Sequence, residues 1–255
     1  MTCFASWYWD KGNFREKNED SFSLQRVLLK GGAAEKCGIS KRKREAALLL
    51  VCDGIGGLPE GETVSGFAAE KLTEWFYREG IGLLGKRKWR RQVKAGALHA
   101  LFSLQEQIER MEREEEICCG TTCTMAIVKG RQYLLLHTGD SRAYLIGKKE
   151  KRLTQDHHDG RALRRCLGAF GFQEPDAVYG TLKRKEMLLL CTDGFCRLAP
   201  EGFFKGCLIS RETAAEKSGY YKRLKGMGNF LKAQGEKDNM TAVCYMRSGR
   251  EQENE

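Results

Sequence analysis

The residues of this sequence that are best suited to chemistry are aspartates at the ends of apolar segments. The segment 46–52, AALLLVC, stops at Asp53, and glycines follow at positions 54, 56, 57 and 61. A short apolar run that is closed by glycines predicts a buried strand followed by a tight turn. A carboxylate at that point is costly to bury unless a cation meets it, so Asp53 is a candidate metal ligand. Taken alone, an ordinary Asp-Gly turn is the simpler interpretation.

Four further aspartates lie at the edge of an apolar segment, beside glycine, serine or asparagine. They are Asp20, Asp140, Asp193 and Asp238. If the strands form two packed sheets, the ends of several strands can meet at one rim. Carboxylates gathered in this way raise one another's pKa, and divalent cations remove that cost. A donor set made only of oxygen atoms favours Mg²⁺ or Mn²⁺ over softer metals.

A centre of two such ions would suit phosphate chemistry. Two ions that share a bridging carboxylate can activate a water for attack on phosphorus. Asp53 is the best candidate for the bridge, since the carbonyl of Gly54 could bind as well. Arg15, which precedes the acidic pair Glu19 and Asp20, could hold phosphate oxygens through paired hydrogen bonds.

The elements that must position these residues are predicted from hydrophobic periodicity. Two segments with apolar residues on one helical face, Thr63–Arg78 and Trp89–Glu116, predict helices that cover a sheet. Four short strands are predicted between residues 119 and 156, and two more at 185–191 and 240–246. The remaining interpretations are one strand at 21–29, an exposed loop at 30–45, loop positions for the adjacent His157 and His158, a short helix that ends at Gly168, and a helix at 212–231.

Composition indicates a globular chain. Of its 255 residues, 41% are hydrophobic and 31% are charged, and only three are prolines. No Pro-rich or Gly/Ser-rich linker divides the chain, so we expect one domain over residues 1–255 with a polar tail at about 248–255. No apolar run approaches the roughly 20 residues that a membrane span needs, and no export signal is visible at the N-terminus. Eleven cysteines without a CxxC pair favour a reducing, cytoplasmic location.

The net charge of +10 indicates attraction to acidic partners. Basic runs such as Lys41–Arg44 could bind nucleic acid, but they lie between predicted elements and lack interleaved aromatic residues. We therefore expect no nucleic-acid partner. Phosphorylated proteins are the acidic partners that the predicted metal chemistry favours.

Seven motifs in order resemble the metal-dependent protein phosphatases, the PPM or type 2C serine/threonine phosphatases, in their short bacterial form. They are R-x-x-NEDS at 15–21, VCDGIGGLPEGE-x-x-S at 51–65, GTT at 120–122, HTGDSRAYLI at 137–146, LTQDH at 153–157, LLLCTDG at 188–194 and KDNMTAV at 237–243. Each motif is weak alone, but the ordered set covers nearly the whole chain. The resemblance implies an α+β fold, a four-layer α-β-β-α sandwich with two central antiparallel sheets.

The resemblance also implies a mechanism and a role for each candidate residue. The family hydrolyses phosphoserine and phosphothreonine in proteins with a water that bridges two Mn²⁺ or Mg²⁺ ions, without a phospho-enzyme. By position, Asp53 bridges the metals, the Gly54 carbonyl assists, and Asp193 and Asp238 complete one shell. The remaining matches are Glu19 and Asp20 as acidic metal-site residues, Asp140 as a ligand of a third, weaker ion, and Arg15 as the phosphate-binding arginine. An opposing serine/threonine kinase is the implied partner.

Two departures from the family pattern bear on activity and specificity. Ile55 stands where some relatives carry a histidine that protonates the leaving group. The span from Asp156 to Leu188, where the family carries a flap beside its active site, is shorter than in most relatives. The alternative to an enzyme is a non-catalytic phosphoprotein-binding module on the same fold.

Overall fold

The structure, a computed structural model, describes residues 2–32, 34–43, 46–55, 61–159, 162–169, 171–209 and 219–247. Its strands are β1 (Thr2–Asp10), β2 (Asp20–Leu24), β3 (Val27–Leu29), β4 (Lys36–Lys43), β5 (Ala46–Asp53), β6 (Gly120–Thr121), β7 (Cys123–Lys129), β8 (Gln132–Thr138), β9 (Arg142–Ile146), β10 (Glu150–Arg152), β11 (Leu167–Gly168), β12 (Asp176–Thr181), β13 (Met187–Cys191) and β14 (Met240–Arg247). Its α-helices are α1 (Gly61–Trp75), α2 (Ile81–Leu84), α3 (Trp89–Glu115), α4 (Phe203–Leu208) and α5 (Gly219–Ala233).

Two six-stranded antiparallel sheets form the centre of the fold. The first has the order β10-β9-β13-β14-β1-β4 and the second the order β12-β8-β7-β5-β2-β3, while β6 and β11 pair separately. Strand β5 shows why its sequence is continuously apolar. Ala47, Leu49 and Val51 point into the core between the two sheets, whereas Leu48, Leu50 and Cys52 face the helices. Both faces of the strand are therefore buried, and alternate side chains serve different cores.

Helices cover the outer faces of both sheets. Apolar residues of α1 and α3 pack on the second sheet, in a core that includes Leu72, Val93 and Leu104. Residues of α4 and α5, among them Phe204 and Leu224, pack on the first sheet. The predicted α-β-β-α sandwich is confirmed. None of the helices in the described ranges is long and apolar enough to cross a bilayer.

The sequence prediction was wrong at the first sheet's edge and at one hairpin. Residues 36–43 were expected in a loop, yet they form β4, which pairs with β1, a strand that the pattern did not predict. The expected strand at 21–29 is a hairpin, because Gln25 turns the chain with a φ of 58° and β2 then pairs with β3. Residues 36–43 are too mixed in polarity for periodicity alone to reveal a strand, and the strand that pairs with them, β1, lies elsewhere in the chain.

One of the helix predictions also needs correction. No helix ends at Gly168, which instead forms the short strand β11 beside β6. Its φ of 86° is left-handed, and a Cβ there would lie 2.3 Å from the carbonyl oxygen of Cys119, so this close approach requires glycine. Helix α5 begins at Gly219, and the start of the helix expected at 212–231 lies outside the described residues. The expected tail at 248–255 lies outside them as well. Helices α1 and α3 agree closely with their prediction.

Candidate active site

The candidate carboxylates lie where strands of the two sheets end at a common rim. Asp53 is the last residue of β5 and Asp20 the first of β2, and the two are paired across these strands. Asp140 follows β8, Asp193 follows β13, and Asp238 precedes β14. Antiparallel pairing brings the end of one strand beside the start of its neighbour, so residues distant in sequence meet at this rim.

One cavity of about 120 Å³ brings most of the candidates together. It is lined by Arg15, Asp53, Gly54, Ile55, Thr122, Asp140, Leu163, Asp193 and Asp238. Glu19 lies at the cavity's edge, where its carboxylate is 3.7 Å from the guanidinium of Arg15. The fully buried Asp20 lies behind Asp53. All eight sequence-predicted residues therefore belong to one region of the molecule.

The backbone around Asp53 is held by neighbouring threonines. The N–H of Asp53 donates to the Thr122 hydroxyl at 3.0 Å. Its carbonyl accepts from the Thr122 N–H at 2.9 Å and from the Thr121 hydroxyl at 2.9 Å. A Cβ at Gly54 would lie 2.3 Å from the carbonyl oxygen of Gly61, so only glycine fits between β5 and the start of α1. The turn that presents Asp53 is therefore fixed from both sides.

Polar residues flank the acidic pair at positions 19 and 20. The side-chain oxygen of Asn239 accepts from the Glu19 N–H at 2.8 Å, and the Thr192 hydroxyl donates to Asp20 Oδ2 at 2.8 Å. Asp20 Oδ1 is buried and accepts no well-formed hydrogen bond from the described residues, although the Thr241 hydroxyl lies nearby. An unsatisfied carboxylate oxygen at such depth is costly and is suited to an interaction with a cation, directly or through water.

Burial dominates the electrostatics of the rim. It raises the pKa of Asp20 to about 8, although the hydroxyls of Thr241 and Thr192 oppose the shift. Burial also raises the pKa of Asp53 well above its usual range, and the charge of Asp20 adds to the effect. The pKa of Asp193 rises to about 6, chiefly through burial and against the nearby Arg197. Each carboxylate is thus short of positive charge.

Two arginines supply part of the positive charge that these carboxylates lack. Arg15 Nη2 is 2.9 Å from Asp238 Oδ1, and Arg197 Nη1 is 2.6 Å from Asp193 Oδ2. The guanidinium of Arg197 also contacts Glu236, a buried residue that the sequence interpretation did not single out. Its position four residues after Asp193 brings Arg197 back towards the carboxylate through the 3₁₀ turn at Asp193–Phe195, although the same spacing is common in exposed ion pairs.

The loop that carries Asp140 is hydrogen-bonded to His157, whose ring contacts a second histidine, His137. The Gly139 N–H donates to His157 Nδ1 at 3.1 Å, and the His157 N–H donates to the Gly139 carbonyl at 2.9 Å. The His157 ring packs 4.8 Å from the ring of His137, whose burial lowers its pKa to about 4. His157 was interpreted as a loop residue, and the structure adds that it holds the Asp140 turn in place.

The donor set fits a hard divalent ion. Several carboxylates and the closely packed Gly54 line one cavity, and burial has left Asp53 without enough compensating charge. In the described part of the chain, no three His, Cys, Asp or Glu side chains are grouped tightly enough to hold an ion as they stand. Asp193 and Asp238 instead direct oxygens to the two arginines. Ile55 lines the same cavity and offers no proton.

Comparisons with known proteins indicate one family for this chain. Residues 11–162 match the family described as protein phosphatase 2C, a range that includes Arg15, Asp53 and Asp140. The chain is 25% identical over 264 residues to a serine/threonine phosphatase of Listeria innocua, and the alignment covers 94% of both proteins. A serine/threonine phosphatase of Listeria monocytogenes is 26% identical over 263 residues, with 93% of both covered.

Solved structures show the same fold. The serine/threonine phosphatase Stp1 from Staphylococcus aureus superposes with a TM-score of 0.77 at 22% identity, over 96% of this chain and 95% of that one. The Mycobacterium tuberculosis phosphatase PstP/Ppp superposes with a TM-score of 0.70 at 23% identity, over 98% and 100% of the two chains. Since the family match spans more than half of the sequence, this chain belongs to the protein phosphatase 2C family.

Proposed function

We propose that this chain is a divalent-metal-dependent protein phosphatase that hydrolyses phosphoserine and phosphothreonine. The observation that carries the proposal is the shared cavity at the rim, where Arg15 stands beside Asp53, Asp193 and Asp238. A cation-binding acidic centre with an arginine at its edge suits a phosphate ester. The names of the Listeria relatives agree with this activity.

Each residue has a proposed role in that reaction. Asp53 would bridge two Mn²⁺ or Mg²⁺ ions with help from the Gly54 carbonyl, and Asp193 and Asp238 would complete the shell of one ion. Glu19 and the buried Asp20 would serve the ions directly or through water. Bound there, the two ions would activate a water for direct attack on phosphorus and stabilise the charge that develops.

Arg15 would position the substrate. Its side chain is 38% exposed at the cavity's edge and now pairs with Asp238. With a cation at Asp238, the guanidinium fork of Arg15 would be available to two phosphate oxygens, which is the geometry that arginine recognises best. Because the side chain of Ile55 has no acidic proton to donate, the leaving serine or threonine oxygen would take its proton from solvent rather than from position 55.

The proposed substrates are phosphorylated proteins, so a serine/threonine kinase that phosphorylates them is the expected opposing partner. The net charge of +10 favours acidic, phosphorylated substrates. All eleven cysteines are free thiols, which fits a reducing compartment such as the cytoplasm.

The proposal is tested with a phosphothreonine peptide in the presence of Mn²⁺ or of a chelator. We expect release of phosphate with Mn²⁺ and loss of turnover with chelator. Asp53→Asn should lower kcat by several orders of magnitude and reduce Mn²⁺ binding, while circular dichroism stays that of the folded protein. Equal turnover with and without chelator would refute the metal-dependent mechanism. Peptide binding without any turnover would favour the non-catalytic alternative.

A further inference from the structure

Arg197 joins two separate segments of the acidic rim. Its Nη1 is 2.6 Å from Asp193 Oδ2. Its Nη2 contacts Glu236 Oε1 and lies 3.7 Å from Asp238 Oδ2. The segment after β13 and the segment before β14 are thus held by one guanidinium.

Glu236 shows that this contact is built into the fold. Its side chain is only 1% exposed, and Oε1 also accepts from the N–H groups of Lys237 at 2.8 Å and Asp238 at 3.0 Å. A buried carboxylate needs a fixed positive partner, because an unpaired charge at that depth is strongly unfavourable. Arg197 is therefore anchored at Glu236 and not only attracted to Asp193.

A second cavity, of about 290 Å³, lies on the same side of the rim. It is lined by Asp140, Arg142, Asp156, His158, Ala162, Leu163, Asp193 and Arg197. Asp156 is already paired, with Arg142 at 2.9 Å and with Arg152. Asp140 forms no ion pair with any described residue. Arg142 and His158 line the same cavity and act on Asp140, whereas without Arg197 the carboxylate of Asp193 would have no ion-pair partner among the described residues.

We propose that Arg197 is a resident counter-ion of the rim, which keeps an additional divalent ion out of the cavity between Asp140 and Asp193. The proposal rests on the proposed function, in that it takes the two ions around Asp53 as given. The guanidinium occupies Asp193 Oδ2 at 2.6 Å, so only Oδ1 remains for a metal ion, which serves one of the two ions taken as given and leaves no oxygen for an additional one. On the Oδ2 side the positive charge of Arg197 also repels a further cation.

Asp140 therefore has a different role in metal binding from the one that the family resemblance implied. Asp140 was expected to help bind a third, weaker ion. With Arg197 in place, that ion is excluded, and the guanidinium supplies a single positive charge beside Asp193.

The test counts Mn²⁺ ions bound to the full chain by isothermal titration calorimetry. Wild type should bind two ions. Arg197→Gln should bind a third, at least tenfold more tightly than any third ion bound by wild type, and Asp140→Asn in the same chain should remove it. Arg197→Lys keeps the charge and should restore the wild-type count. The matched control is Lys94→Gln on helix α3, which removes one positive charge from an ion pair with Glu174 and should change nothing.

A measurement on Asp140 alone covers the case in which Arg197→Gln fails to fold. Because Asp140 holds no ion in wild type under this proposal, Asp140→Asn should leave the number and affinity of bound Mn²⁺ ions unchanged. Loss of an ion in Asp140→Asn, or an unchanged count in folded Arg197→Gln, would overturn the counter-ion proposal. If wild type binds no Mn²⁺, the proposed function fails. A new Asp140-dependent ion in Arg197→Gln would then still support the role of Arg197, and its absence would end both proposals.

Discussion

Replacing Asp193 by asparagine should stabilise the metal-free protein while it removes function. Asn has nearly the shape of Asp, and its side-chain oxygen can still accept from Arg197, which now donates to Asp193 Oδ2 at 2.6 Å. The substitution removes a negative charge that burial opposes and that Asp238 and Asp140 repel. A group that serves a cation is expected to cost stability when that cation is absent.

The magnitude follows from the pKa. Burial raises the pKa of Asp193 from 3.8 to about 6, and each pKa unit corresponds to about 1.4 kcal/mol. At pH 8 the ionised side chain therefore costs at most about 3 kcal/mol. Its side chain is 24% exposed, so solvent screening lowers the expected gain to about 1–2 kcal/mol. For a chain of this size that is a rise in Tm of roughly 2–8 °C.

The pH dependence of stability tests separately whether the charge of Asp193 destabilises the folded protein. The folded pKa of Asp193, about 6, lies above its unfolded value of 3.8. Below pH 3.8 the carboxyl is protonated in both states, and wild type loses stability as the pH rises through about 6. The advantage of Asp193→Asn should thus be full at pH 8 and vanish near pH 4.

Thermal unfolding in chelator and in Mn²⁺ completes the assay. At an ion concentration of 100 times Kd, binding stabilises wild type by about 2.7 kcal/mol, and the variant should lose most of this gain, which exceeds its advantage of about 1–2 kcal/mol in chelator. The order of the two Tm values should therefore reverse between the two conditions, and kcat should fall at least 100-fold. A lower Tm for Asp193→Asn in chelator at pH 8 would refute the electrostatic argument. An unchanged kcat in Mn²⁺ would refute the role of Asp193.

Three further predictions concern the substrate, the core and the buried histidine. Arg15→Gln should lower kcat/KM for a phosphopeptide about 100-fold without changing the circular dichroism spectrum, since the variant loses a charged fork; an unchanged kcat/KM would remove Arg15 from the site. Leu49→Ala, in the core between the sheets, should reduce the free energy of unfolding in urea by about 2–5 kcal/mol, and a change below 1 kcal/mol would contradict the described packing. The folded pKa of His137, about 4, lies below its usual 6.5, so the folded state disfavours protonation, and stability should fall, by up to about 3 kcal/mol, as the pH drops from 6.5 to 4. NMR titration of the His137 ring checks this directly, and a midpoint above 6 would contradict it.

Much of the fold could be predicted from the sequence because its central strands are buried on both faces. The run before Asp53 is apolar at every position, since Leu48 and Leu49 enter different cores. Helix α3 was predicted almost to the residue because its apolar stripe repeats at helical spacing over 27 residues. In both cases the local pattern and the tertiary environment require the same residues.

The elements that were missed depend on partners far along the chain. Strand β4 has a polar sequence, KCGISKRK, and its place at the edge of the first sheet comes from pairing with β1. Strand β1 in turn lies between β4 and β14, more than 200 residues away in sequence. No local window contains that information, so periodicity could not supply it.

In the candidate site, too, some residues could be predicted from the sequence and others only from the fold. Glycine beside aspartate at the end of an apolar strand marks Asp53 and Asp193, because the close approaches at Gly54 and Gly194 leave no room for a Cβ. Arg197 has no comparable mark, since an arginine four residues after an aspartate is commonly an exposed ion pair. Its importance comes from Glu236, which the fold buries beside it from 39 residues further along the chain. A side-chain cation that is fixed by a carboxylate distant in sequence can be identified only when the fold places both segments at the same rim. The candidate metal ligands could therefore be predicted from the sequence, whereas the positive charge that Arg197 contributes to the site could not.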